Sequence, residues 1–275
     1  MPGSRIRWNL CDVKRIFVLM ADILVFGAHP DDAEFGMGAS MVKFVRSGAT
    51  VALCVLTRGE SGTFGTPEQR EKEMQAAARM LGGELSILSY RDCQVFDTFD
   101  ARVKLAEVVR AVRPRVVFAP YHTNPSFHKD GAAHPDHTAT GTIVRSALRY
   151  ARFAGLKEAR GEPWNVEHLL YYMVPRTRTP TLLNDVTDYM AEWQSIASCH
   201  ASQLALRDGK VLDNLRRFRE AYGNMIGVEC AEGFLSEEPL VFDLDLFLKH
   251  TLQPGGAVGG PRPKARETAA QPAQG

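Results

Sequence analysis

Two His-Pro-Asp units constrain this chain more than any other feature. The first is Ala28-His29-Pro30-Asp31-Asp32-Ala33-Glu34, directly behind the apolar run Ile23-Leu24-Val25-Phe26-Gly27. The second is Ala133-His134-Pro135-Asp136-His137, far along the chain and again downstream of an apolar run, Val116-Val117-Phe118-Ala119. Short continuous apolar runs read as strands buried on both faces of a parallel sheet. A fold carrying both units can bring two strand ends to one edge of one sheet, which is where ligands bind in open α/β sheets. His29, Asp31 and Asp32, stiffened by Pro30, are costly to assemble unless a cation or a reaction uses them. Taken singly, the first unit also reads as a loop histidine followed by two ordinary helix-starting acids. The second unit turns the reading toward a metal site.

The rest of the chain supports that architecture. Residues 37–47 read as a helix with Met41, Phe44 and Val45 on its inner face and Gly48 as its stop. Residues 51–56 read as a second buried strand that exits into a Gly-rich loop, 57–66. Thr66 as N-cap, Pro67 at the first helical position and Gln69 two residues later open a helix that runs through Arg70, Met74, Ala77 and Met80 to Gly82-Gly83. Ile87-Leu88 marks a short third strand. Asp100 caps a helix striped by Val103, Ala106, Val109 and Val112 and stopped near Pro114. After the polar loop 120–137 come a helix at about 138–157, a strand at 169–173, helices at 187–203 and 211–225, and a short strand or two within 228–241. Alternating strands and helices imply right-handed crossovers and a mostly parallel sheet. The expectation is an α/β, Rossmann-like three-layer fold with its active site at the carboxyl ends of the strands. A dinucleotide site fits poorly, because Gly36-x-Gly38 lacks the third glycine and follows an acidic turn that repels pyrophosphate.

Composition narrows the function classes. The chain has 275 residues, of which 45% are hydrophobic and 24% charged, enough for a large core. A net charge of +1 offers no broad field for nucleic acid or a membrane surface. The five cysteines form no CxxC, which points to reduced thiols, a cytoplasmic setting and no cysteine-ligated zinc. Lys14-Arg15 and the apolar residues after them resemble a signal peptide, but Asp22 interrupts the run and cleavage would remove the strand before His29. Met20 begins a natural first strand. We therefore expect an N-terminal extension at 1–19, a single domain at 20–251, and a disordered Pro/Gly/Ala-rich tail at 252–275. No stretch is long and uncharged enough to span a membrane.

The chemistry follows from the residue types. His29, Asp32 and His137 make a His₂Asp set, and three protein ligands with one open position are the pattern of a catalytic divalent site. The set suits Zn²⁺, and the same ligand types admit Fe²⁺. With two histidines three residues apart, one of His134 and His137 can bind metal while the other faces substrate. Asp31, beside a ligand but not one itself, is placed to take a proton from the attacking water. Asp136 either holds the ring of His134 in one tautomer or caps the helix before Thr138. Together these groups suit hydrolysis of a carbonyl compound. Arg70 is the cation best placed for the developing oxyanion, with Arg58 and His122 behind it. The plain alternative for Arg70 is an exposed side chain paired with Glu71 or Glu73.

These residues resemble the PIG-L/LmbE family of zinc-dependent N-acetylglucosamine de-N-acetylases, over about residues 20–246. Within the family the chain looks most like the bacillithiol-biosynthesis branch, which deacetylates N-acetylglucosaminyl-malate. The segments carrying that likeness are Gly65-Thr66-Pro67-Glu68-Gln69-Arg70, Val117-Phe118-Ala119-Pro120-Tyr121 and Ala231-Glu232-Gly233-Phe234. The resemblance implies zinc on His29, Asp32 and His137, Asp31 as general base, His134 as acid or electrostatic stabiliser, and Arg70 at the oxyanion. It also implies an amino-sugar substrate and a homo-oligomer, a trimer or hexamer; the region 187–250 reads equally as an interface supplier and as ordinary core. The chain departs from the branch in an insert at 121–131 beside the mouth of the site, and in the two terminal segments. The wider family also holds mycothiol-pathway deacetylases, thiol-conjugate amidases and chitobiose deacetylases, so the amidase and the chitobiose enzyme are the competing enzymatic readings. A catalytically dead carbohydrate-binding protein would lack a ligand or the base, and this sequence lacks neither.

Overall fold

The computed structural model describes residues 20–125 and 130–240. The expected segments 1–19 and 252–275, the end of the 20–251 domain and part of the 121–131 insert lie outside the described residues. At the centre is a parallel sheet of five strands: β1 (Ile23–Gly27), β2 (Val51–Thr57), β3 (Glu84–Tyr90), β4 (Val116–Pro120) and β5 (His168–Tyr172). Their order is β3-β2-β1-β4-β5, with β1 pairing β2 on one side and β4 on the other. Every residue of β1 and β2 is buried, as continuous apolar runs between two helical layers require. Strands are added first on the β2 side and then on the β4 side. The crevice outside the carboxyl ends of β1 and β4 is therefore the topological switch point.

Helices cover both faces. Of α1 (Asp32–Arg46), α2 (Pro67–Leu81), α3 (Phe99–Val112) and α4 (Pro135–Ala151), the last two share one core with the sheet. α1 and α2 share the other, together with α5 (Met190–Ala197). α6 (Ala201–Leu204) and α7 (Val211–Ile226) follow. A two-stranded antiparallel ribbon of β6 (Leu182–Asp185) and β7 (Ala231–Phe234) closes the described chain and touches the sheet edge through the Tyr171–Leu235 bridge.

Thr66 caps α2 by accepting from the Gln69 amide at 3.2 Å, with Pro67 as the first helical residue and Gly82 at φ 76° as the stop. Elsewhere the structure corrects the sequence reading. α1 begins at Asp32 rather than near residue 37, so Asp32 and Glu34 occupy its first turn, where the helix dipole favours anions. The helix kinks at Met37 (φ −148°, ψ 22°) and restarts with the carboxylate of Glu232 accepting from Ala39 N at 3.2 Å and Ser40 N at 2.7 Å. The glycines beside the kink admit aromatic rings: a Cβ on Gly36 would lie 2.4 Å from Tyr172, and one on Gly38 would lie 2.8 Å from Trp193. Thr98, not Asp100, caps α3, because its hydroxyl reaches the Ala101 amide at 3.1 Å.

Further differences follow the same logic of long-range partners. The third strand is seven residues long, since the edge of a buried sheet tolerates the half-polar sequence around Ile87-Leu88. α4 starts at Pro135 and ends at Ala151, where the buried Arg110 gathers the carbonyls of Tyr150, Ala151, Phe153, Ala159 and Gly161 and turns the chain. The expected helix at 187–203 is broken into a 3₁₀ turn, α5 and α6. The strand β6 carries no apolar alternation that marks it in the sequence. Among the described residues no helix is long and apolar enough to cross a membrane.

Candidate metal centre

Three side chains meet at the switch point. His29 leaves the end of β1, Asp32 opens α1, and His137 stands in the first turn of α4, just past the loop that follows β4. His29 Nδ1 lies 3.2 Å from His137 Nε2, and His137 Nε2 lies 3.1 Å from Asp32 Oδ1. Asp32 Oδ2 accepts from the amides of Ala28 at 2.7 Å and His29 at 2.9 Å, which fixes the carboxylate before any ligand arrives. All three residues are buried. Two imidazole nitrogens and a carboxylate oxygen turned toward one point, with the backbone already holding the other oxygen, fit a divalent cation better than they fit one another.

The charges support this fit. Burial works against a charge on His29, yet hydrogen bonds to Asp136, Asp32 and Asp92 hold its pKa up, at about 12. Burial would raise Asp32, but the charge and hydrogen bond of His137 and the hydrogen bond of His29 keep it well below the usual carboxylate range. The pocket thus concentrates negative charge that calls for a cation.

Asp92 is a residue that sequence reasoning missed. It sits just beyond β3, and its Oδ1 accepts from His29 Nε2 at 3.0 Å while its Oδ2 accepts from Ser61 N at 2.9 Å. A carboxylate on the far nitrogen of a ligand histidine sets its tautomer and turns Nδ1 toward the ion. The available signal is an Asp two residues past a strand, but only Ile87-Leu88 marks that strand in the sequence. Asp136 also differs from expectation. Its Oδ2 lies 3.4 Å from His29 Nε2 and accepts from Cys93 N at 2.7 Å, and its Oδ1 accepts from Val95 N at 3.3 Å. The carboxylate therefore braces His29 and the 92–95 turn rather than the ring of His134. The cap of α4 is His134 itself, whose Nδ1 accepts from Asp136 N at 3.2 Å.

That cap bond gives His134 a definite character. With Nδ1 accepting, the neutral ring carries its proton on Nε2 and is a donor. Burial and the nearby charges of His29 and His137 lower its pKa. Its ring centroid is 4.8 Å from that of His29 and 5.4 Å from that of His137, and it lines the cleft.

Asp31 occupies a left-handed backbone position, φ 111° and ψ −22°, at the entry to α1. Few non-glycine residues are held there. Burial and the charge of Asp32 push its pKa up to about 6, against the opposing charges of Arg70, His200 and His29. Arg70 is buried, not on the surface beside Glu71 or Glu73. Its guanidinium donates to Gly59 O at 2.8 Å and Pro30 O at 2.9 Å and reaches Asp31 Oδ2 at 3.4 Å. Arg70 thus clamps the turn that presents Asp31. Arg58 pairs with Glu68 and Glu71 at 3.0 and 3.1 Å. His122 pairs with Glu237 at 2.9 Å, and neither Arg58 nor His122 lines the cleft.

The cleft has a volume of about 460 Å³. Its far wall is apolar, with Phe35, Met173, Leu206, Leu215 and Phe218. The buried pair Arg219–Glu232 backs that wall: Arg219 Nε donates to Glu232 at 2.8 Å and the guanidinium stacks 4.0 Å over Trp193.

Comparison with known proteins agrees with this picture. Residues 24–148 match the family model described as PIG-L, GlcNAc-PI de-N-acetylase. The chain is 27% identical over 224 residues to a diacetylchitobiose deacetylase of Thermococcus kodakarensis, covering 77% of this chain and 81% of that protein. It is 27% identical over 230 residues to a probable N-acetyl-alpha-D-glucosaminyl L-malate deacetylase 2 of Bacillus anthracis, covering 79% of this chain and 92% of that protein. The crystal structure of a conserved protein from Thermus thermophilus superposes with a TM-score of 0.73 at 34% identity, covering 82% of this chain and 98% of that one.

Proposed function

The chain belongs to the PIG-L family, and from that premise we propose that it is a zinc-dependent hydrolase. It removes the acetyl group from an N-acetylglucosamine derivative, N-acetylglucosaminyl-malate first among them, and releases acetate and the free amine. The observation that carries this reading is the meeting of His29, Asp32 and His137, with His137 Nε2 3.2 Å from His29 Nδ1 and 3.1 Å from Asp32 Oδ1 and with His29 Nδ1 3.8 Å from Asp32 Oδ2, and Asp31 held beside them.

His29 through Nδ1, His137 through Nε2 and Asp32 would hold the ion, and Fe²⁺ suits the same donors. When bound, it supplies Lewis acidity toward the amide carbonyl and toward water. Asp31 takes the proton of the attacking water; a carboxylate raised toward 6 is a stronger base than an ordinary aspartate and still ionised at neutral pH. His134 presents Nε2–H to the reacting amide and steadies negative charge on the oxygen, while Asp31 passes the proton it took from the water to the departing amine. Arg70 keeps Asp31 aimed and adds positive charge behind it. Asp92 and Asp136 hold His29 in one tautomer. The four free thiols among the described residues support the reducing, cytoplasmic setting.

The malate reading is supported by the Bacillus anthracis relative, of which the chain covers 92%. A second reading, a disaccharide such as diacetylchitobiose, is favoured by the Phe218 ring in the far wall, which Arg176 covers at 4.6 Å and whose exposed remainder a second sugar can contact. Acetate release from N-acetylglucosaminyl-malate, diacetylchitobiose and N-acetylglucosamine, alongside amine release from a cysteine-conjugate amide, separates the candidates. The expected order puts the malate conjugate first. Turnover of the cysteine conjugate alone would make the chain a thiol-conjugate amidase, and turnover of none would overturn the enzymatic reading.

A further inference from the structure

One wall of the cleft carries ligand-type side chains that the proposed reaction does not use together. Cys93 is exposed on the turn after β3 and lines the cleft with Asp92 and His134. Its Sγ lies 3.6 Å from Asp92 Oδ1. A carboxylate oxygen of Asp92, the sulfur of Cys93 and a ring nitrogen of His134 all lie within 4.8 Å of one another. The set His29, His134 and His137 meets the same limit, so His134 stands between two groups of potential ligands. The two groups differ in chemistry. The ligands His29, Asp32 and His137 offer only nitrogen and oxygen, whereas the second group adds sulfur, which selects for thiophilic cations such as Zn²⁺ or Cd²⁺ over hard ones.

We propose that a second, thiophilic divalent cation binds at Asp92, Cys93 and His134 and inhibits the enzyme. The sulfur–metal bond forms as the thiol gives its proton to solvent. The His134 ring shifts its remaining proton to Nδ1 when Nε2 becomes a ligand, so the cap bond from Asp136 N is given up. The inhibition follows from what the ion takes: the Nε2–H donor of His134, and part of the carboxylate that orients His29. The catalytic ion itself stays in place. This inference rests on the proposed use of His134 in hydrolysis, but the binding it asserts does not.

Titration of the holoenzyme, loaded with one zinc per chain, with Cd²⁺ tests it. The expected result is one added cadmium per chain with the zinc retained, and a thiolate-to-cadmium absorption band in the ultraviolet. Amide hydrolysis should fall at least tenfold as that equivalent binds. Cys93→Gly should bind no added cadmium, show no band and keep its activity at the same cadmium concentration. Cys93 has φ 63°, a conformation glycine adopts freely, so this variant keeps the fold and the 93 amide that Asp136 accepts. A band or added cadmium that persists in Cys93→Gly, equal inhibition of both proteins, or no thiolate band in the parent would overturn the proposal. The absorption is read without substrate, so a chain that hydrolyses no amide defeats the reaction and leaves this test standing.

Discussion

The two walls of the cleft are built on different terms. The catalytic wall comes from the ends of β1, β3 and β4, and its side chains are held by backbone amides: two on Asp32, one on Asp92, two on Asp136. The far wall comes from α7, Leu206 ahead of it, the 173–176 segment and Phe35, two residues before the Met37 kink, and much of it is half-exposed apolar surface. Its one tightly held feature is the Arg219–Glu232 pair, which ties α7 to the kink in α1 through Ala39 N, Ser40 N and Phe35 O. The difference teaches that reactive geometry is anchored on the sheet, where hydrogen bonds leave little freedom. On the proposed reading, substrate choice falls to peripheral elements, where a change of side chain alters shape without disturbing the candidate ligands.

The comparison breaks most sharply at the ligands. His29→Ala, Asp32→Ala and His137→Ala should each lose bound metal by elemental analysis and lower turnover on the order of 10³-fold or more. Chelator dialysis of the parent should do the same, with Zn²⁺ restoring activity. A variant that keeps full metal and full rate removes that residue from the set. Asp31→Asn should keep its metal and still lose on the order of 10²-fold or more in kcat, because only proton transfer is touched. If instead the metal is lost and turnover per ion is unchanged, the two aspartates have exchanged roles.

The smaller effects sharpen the contrast between walls. Asp92→Asn removes a charge from behind His29, and a loss of about 10- to 100-fold in metal affinity is expected by competition against a chelating indicator. Unchanged affinity would show that Asp92 braces only the Ser61 loop. Phe218→Ala on the far wall should raise KM several-fold, with kcat within about twofold, since it touches the bound substrate equally before and during reaction. A fall in kcat as large as that of Asp31→Asn would mean the two walls are not separable.

Much of this site was legible in the chain itself. The two His-Pro-Asp units, each behind an apolar run, marked His29, Asp32 and His137 as candidate ligands, and Thr66-Pro67 marked the start of α2. These are local patterns: strand burial, capping and ligand chemistry act over a few residues, and they also give the alternating order from which a parallel sheet follows. The identity of His134 as donor, the place of Asp92 and Asp136 behind His29, and the carbonyl partners of Arg70 were not legible. The donor state of His134 is set by its ring orientation toward the Asp136 amide two residues on. The other two depend on contacts between segments far apart in sequence, such as Asp92 with His29 and Arg70 with Pro30 O. The kink at Met37 is the plainest case. In the sequence Gly36 and Gly38 read only as an incomplete dinucleotide motif, whereas Tyr172, Trp193 and Glu232 give the kink its cause. Sequence by itself determined which residues stand at strand ends and what chemistry they offer. Only the tertiary structure decided which of them face one another, because strand order and side-chain direction are set by packing across the sheet, not by neighbours along the chain.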